Sequence, residues 1–71
     1  MRARNGATSD RVVSDDGIVS VRGQRIGRVV QLKSRRWIHA RPGGQFTSTS
    51  WRTQEEAVDA LIDVWRTESA R

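Results

Sequence analysis

The stretch RPGGQFTSTSWRTQEEAVDALIDVW, residues 41–65, sets the fold, because a turn, an extended run and a helix start follow one another within it. Thr53 followed three residues later by Glu56 is a capping box, and Glu55 and Glu56 suit the positive end of a helix dipole. Beyond it, Ala57, Val58, Leu61, Ile62, Val64 and Trp65 form one broad apolar stripe, with Glu55, Glu56, Asp59, Asp63 and Arg66 on the other side. That period predicts an amphipathic helix facing a core. At the other end, Arg41–Pro42–Gly43–Gly44 is the strongest turn signal in the chain. Pro fixes φ at the second position and a Gly follows where φ > 0 is needed.

Upstream of that turn the period falls to two. RRWIHAR (35–41) and RIGRVVQLK (25–33) read as strands separated by the polar break Lys33–Ser34–Arg35. QFTSTSW (45–51) reads as the third strand. GIVSV (17–21) is short and β-rich, either a brief edge strand or the lead-in to an Arg22–Gly23 turn. Residues 1–16 contain little to bury and read as a flexible tail. The expected architecture is α+β: a three-stranded antiparallel sheet packed on one C-terminal helix (βββα), with residues 17–71 as the domain.

The turn also suggests a register. With Arg41 facing Gly44, Ile38 faces Thr47, Trp37 faces Ser48 and His39 faces Phe46. The helix then covers Ile26, Val30, Leu32, Ile38, Ala40 and Trp51. A loop one residue longer would swap the faces of the third strand. The first register is preferred because it places Trp51, next to the helix, on the helix side.

Charge is sorted along the chain. Residues 22–52 carry eight basic side chains and no acid, whereas the last eighteen residues hold five acids against Arg66 and Arg71. The net charge is +5, and twelve of the thirteen cations are Arg. A basic block of this kind attracts polyanions and draws binding energy from counterion release. The Arg fork suits phosphate oxygens and guanine edges, although codon bias in a GC-rich genome is an equally good reason for Arg over Lys.

Several chemistries are disfavoured. There is no Cys and no Tyr, and one His. A thiolate zinc site, a disulfide and a Cys nucleophile are excluded. His39 sits among Arg neighbours, where a structural or phosphate-contact role is expected. Asp15–Asp16 is too thin a cluster for a metal, and no glycine spacing matches a phosphate loop. No enzyme activity, cofactor or metal is expected. No apolar run approaches the roughly 18 residues of a membrane span, and the basic start has no apolar stretch behind it. A soluble cytoplasmic protein is the expectation.

The sheet face left bare by the helix would carry Arg25, Val29, Gln31, Trp37, His39, Arg41, Phe46, Ser48 and Ser50, with Arg35 at a loop edge. Such a face can enter the major groove of DNA, where Arg and Gln read base edges, or stack unpaired bases on its aromatics. The order of three strands and a helix, with WRTQEEAVDAL (51–61) at the junction, resembles the arm-site-binding domain of phage tyrosine integrases over roughly Gly23 to Trp65. In that family an aromatic, a Thr and an Ala-containing helix close the sheet, and the bare face lies in the major groove. The plant ethylene-response DNA-binding domain is similar in architecture. Strand two departs from the family pattern, since Trp37 and Ala40 are three residues apart rather than two, which leaves its register open.

The resemblance implies a free-standing DNA-binding module, an accessory or regulatory factor of phage or mobile-element origin. The candidate nucleic-acid contacts are Arg25, Arg28, Gln31, Lys33, Arg35, Arg36, Trp37, His39, Arg41, Phe46, Ser48 and Arg52, with DNA favoured over RNA. The rival class is a protein-interaction module, an inhibitor, adaptor or homodimer, docking through Trp37 and Phe46.

Overall fold

The computed structural model describes residues 11–69. Four strands, β1 (Arg11–Val13), β2 (Ile18–Val21), β3 (Gln24–Gln31) and β4 (Trp37–Ala40), precede one helix, α1 (Gln54–Ser69). The strands pair antiparallel in chain order, a meander. The α+β class and the C-terminal helix agree with the sequence reading, but the sheet has four regular strands rather than three. The expected tail is cut short. Residues 1–10 lie outside the described residues, whereas Arg11–Val13 pairs with Val19–Val21 and Val13 packs on the core. A three-residue strand with one Val pair carries too weak an alternation to show in the sequence.

Short turns explain the meander. Arg22 and Gly23 both have positive φ, 53° and 79°, the two-residue hairpin that suits the twist of flanking strands. Between β3 and β4, Leu32 N–H donates to Arg36 O at 2.7 Å and Arg35 N–H to Leu32 O at 2.9 Å, with Arg35 at φ 73°. At the proline turn Gly43 has φ 74° and Gly44 N–H donates to Arg41 O at 2.9 Å. That geometry is the one the Pro–Gly order predicts.

The third expected strand is not a regular one. After the proline turn, Thr47 N–H donates to His39 O, and Trp51 forms an isolated antiparallel bridge with Trp37. The facing chain uses five residues, Thr47 to Trp51, where β4 uses three, Trp37 to His39, so the segment between them loops out. Its hydroxyls satisfy the backbone locally: Thr47 Oγ1 donates to Thr49 O at 2.8 Å. Ser and Thr compete with a ladder in this way. Trp37 therefore faces Trp51 and not Ser48, which corrects the expected register. Trp51 lies on the helix side as expected, and Trp37, its opposite number, packs on the core with it.

The sheet faces are likewise largely exchanged, and a bulge is the reason. Val19 pairs with Gly27, but the next residue, Ser20, pairs with Arg25. Ile26 is the extra residue, and such an insertion resets the alternation of the strand. Ile26, Gly27 and Val29 all face the helix; Arg25, Arg28 and Val30 face away. Val30 pairs with Ile38 and Arg28 with Ala40, and paired residues share a face. Val30, Leu32, Ile38 and Ala40, expected beneath the helix, thus belong to the outer face, where Ala40 is covered to 3% exposure. Val29 and His39, expected on the bare face, are buried at 1% and 4% exposure.

The core consists of Val19, Ile26 and Val29 from the sheet and Ala57, Val58, Leu61 and Ile62 from α1, with Trp37, Trp51 and Trp65 around it. The helix starts as predicted. Glu56 N–H donates to Thr53 Oγ1 at 3.1 Å, and the Glu56 carboxylate accepts from Arg52 N–H at 3.1 Å, one residue before the cap. The apolar stripe is as expected except at Val64, which is 37% exposed.

Candidate nucleic-acid interface

The outer face of the sheet is centred on Arg25, Arg28, Val30 and Ile38. In a regular strand Arg25 and Arg28, three apart, would point to opposite sides. The bulge at Ile26 brings both to the outer side, where both are exposed. The Arg28 guanidinium carbon lies 5.8 Å from the centroid of the Phe46 ring, within cation–π range. That contact places Phe46, 40% exposed, on the same face. Leu32 continues the alternation from Val30 and is 41% exposed. Lys33, Arg35 and Arg36 follow in the β3–β4 turn and are exposed.

The helix lies on the opposite side and carries Glu55, Glu56, Asp59, Asp63 and Glu68. Asp59 pairs with Arg11 and Glu68 with Arg41. The two layers are therefore of opposite sign, cationic on the sheet's outer side and acidic on the helix. Separation across the two layers and solvent screening of the exposed charges limit cancellation, and the outer side presents a positive potential to solvent.

The remaining expected contacts are dispersed. Gln31 is exposed, but its Nε2 donates to Arg35 O at 3.3 Å. Arg36 donates from Nε to Ser50 Oγ and from Nη2 to Ser50 O, pinning the looped segment. Arg41 is half-buried. Its Nε donates to Glu68 at 2.8 Å and its Nη1 to Ile26 O, so it ties the last turn of α1 to the bulge. Ser48 and Arg52 are exposed in the segment between β4 and α1. Trp37 and His39 stand on the helix side. Sequence reasoning missed Val30, Leu32 and Ile38 as members of the outer face. The available signal was Gly27, since a glycine inside a strand pattern marks a bulge or a close backbone approach.

His39 stacks on Trp51 with ring centroids 4.8 Å apart and an interplanar angle of 23°. Its Nδ1 is buried and has no hydrogen-bond partner among the described residues. Burial disfavours the imidazolium and pushes the His39 pKa below its usual value of 6.5. The unfolded chain therefore takes up a proton as the pH falls through about 6.5, while the folded domain takes one up only at lower pH. Stability should be highest above that pH and decline between pH 7.5 and 5.5, by at most about 1.4 kcal/mol per unit. Urea unfolding across this range tests the sign. In His39→Phe the decline should disappear from that window, leaving the carboxylates to act at lower pH.

Among the described residues no group of three or more His, Asp or Glu side chains is placed to hold a metal ion. No described helix is long and apolar enough to cross a membrane. A shallow cleft of about 300 Å³ between β1 and the start of α1 is lined by Arg11, Val13, Gln54, Glu55 and Val58. It contains no nucleophile with an adjacent base. Neither a family model, nor a curated protein, nor a solved structure matches this chain.

Proposed function

We propose that this domain binds DNA through the outer face of its sheet, as an accessory or regulatory factor of phage or mobile-element DNA in the cytoplasm. The observation that carries this reading is the bulge at Ile26, which turns Arg25 and Arg28 outward together on the sheet face away from the acidic helix. Lys33 and Arg35 extend the cationic track into the β3–β4 turn, and Arg52 lies at the start of the helix. Arg35 adds independent support. It holds a φ of 73°, a conformation that favours glycine and costs other residues roughly 1 kcal/mol. An exposed cation retained where glycine is easier points to a use for the charge.

Fluorescence anisotropy with a labelled oligonucleotide, titrated at several salt concentrations, tests the reading. Each phosphate contact contributes a slope of about −0.9 in log K against log salt on duplex and about −0.7 on a single strand. Arg25→Ala/Arg28→Ala should lower the slope by about two contacts while the melting temperature stays near wild type. Arg35→Gly should weaken binding by about one contact and raise stability by roughly 0.5–1 kcal/mol, because the strained φ is relieved. A binding loss without a salt-slope change would contradict a phosphate role for these side chains.

A second reading rests on the exposed Leu32 and Phe46, which adjoin the half-buried Val30 and Ile38. This is more apolar surface than a small sheet face in water requires, and it suits a protein partner or a second copy. Phe46 serves that docking; Trp37 does not, because it packs on the core. Apolar docking persists at high salt, whereas phosphate binding is lost.

A further inference from the structure

Resting on the DNA-binding reading, we infer that the outer face takes an unpaired strand, with a base stacked on Phe46 beside Arg28. The fold withdraws three of the neutral polar groups that would read duplex edges. Gln31 is engaged with Arg35 O, Ser50 is held by Arg36, and His39 is buried on the far side of the sheet. In their place the face presents a 40% exposed aromatic ring, a guanidinium 5.8 Å from its centroid, and the apolar side chains Leu32, Val30 and Ile38. Duplex DNA has its base faces already stacked and offers this strip mainly groove edges and hydrated backbone. A single strand offers bare base faces, which pair with an exposed aromatic irrespective of sequence, while cations follow the phosphates. Arg28 serves both partners, since its guanidinium plane can rest on a ring and still donate to a phosphate oxygen. With Arg25, Arg28 and the short hydroxyl side chain of Ser20, which pairs with Arg25, as the strand donors on the face, little base selectivity is expected.

The test uses the full chain and three labelled probes of one mixed sequence: a DNA single strand of about 20 nucleotides, the corresponding duplex, and the RNA single strand, long enough for one small-domain site. The wild type should bind a single strand at least about fivefold more tightly than the duplex, the yield of one stacked base. Phe46→Ala should lose about that factor on the single strand, a larger loss than on the duplex. Phe46→Tyr should retain binding and Phe46→Leu should not, which separates stacking from apolar bulk and holds even if the Ala variant is less stable. The DNA and RNA arms identify the sugar. Duplex bound as tightly as the single strand, or Phe46→Leu binding like wild type, overturns this inference and leaves the DNA-binding reading standing. Failure to bind any of the three probes at low salt overturns both, and a concentration-dependent dimer in that buffer would assign the face to a second copy.

Discussion

Leu61→Ala will destabilise the domain by about 2–5 kcal/mol, the range for removing a fully buried leucine. Leu61 is 0% exposed and stands at the centre of the helix–sheet contact. A chain of this length has a total stability of roughly 4–10 kcal/mol, so the variant should be partly or wholly unfolded at 37 °C. Asp59→Ala, two residues earlier on the same helix, removes an exposed pairing with Arg11 and should cost less than about 1 kcal/mol. Chemical denaturation of the two variants side by side checks the assignment of helix faces. Equal losses would contradict it.

Gly27→Ala will cost at least as much, by a different route. A Cβ at this position would sit 2.3 Å from the carbonyl oxygen of Ala40 and 3.0 Å from both Leu61 methyls. A side-chain methyl can move aside, but the Ala40 carbonyl belongs to the β3–β4 ladder and cannot do so without separating the strands. Overpacking typically costs about 1–3 kcal/mol and more where the neighbour is rigid, so a loss of about 3 kcal/mol or more is expected. The double variant Gly27→Ala/Leu61→Ala isolates the cause. If the backbone oxygen is decisive, truncating Leu61 gives no rescue and the two losses combine. If the methyls are decisive, the double variant will be more stable than the sum of the singles implies. Denaturant midpoints of the three variants distinguish these outcomes.

The helix and its start were legible because local rules govern them. Thr53 and Glu56 make their bonds within one turn, and the stripe Ala57, Val58, Leu61, Ile62 repeats with the helical period. The Pro42–Gly43 turn was legible for the same reason, since its φ values follow from those two residue types. The cationic character of the chain was also on view, but its distribution was not. Arg25 and Arg41 looked equivalent in the sequence, yet one is exposed on the outer face and the other is tied to Glu68 and Ile26 O. Nothing within a few residues of Arg41 foretells a partner 27 positions away.

The pairing errors share one origin. Period-two reasoning assumes an unbroken pleat, and one inserted residue inverts every assignment beyond it. Ile26 is that residue. The apolar content of RIGRVVQLK suits either parity, because Val29 and Val30 offer one β-branched side chain to each face. The helix breaks this tie: beneath Leu61, the Ala40 carbonyl and the Leu61 methyls together leave no room for a side chain at position 27, and Gly27 meets that need when it faces the helix. Composition, turn chemistry and the amphipathic helix were thus determined by the sequence itself, through interactions spanning a turn or two of chain. Which sheet face the helix covers, and hence that Trp37 and His39 are inside while Arg28, Val30 and Phe46 are outside, was decided by packing between distant segments, because burial against α1 selects between two pleats that are locally equivalent.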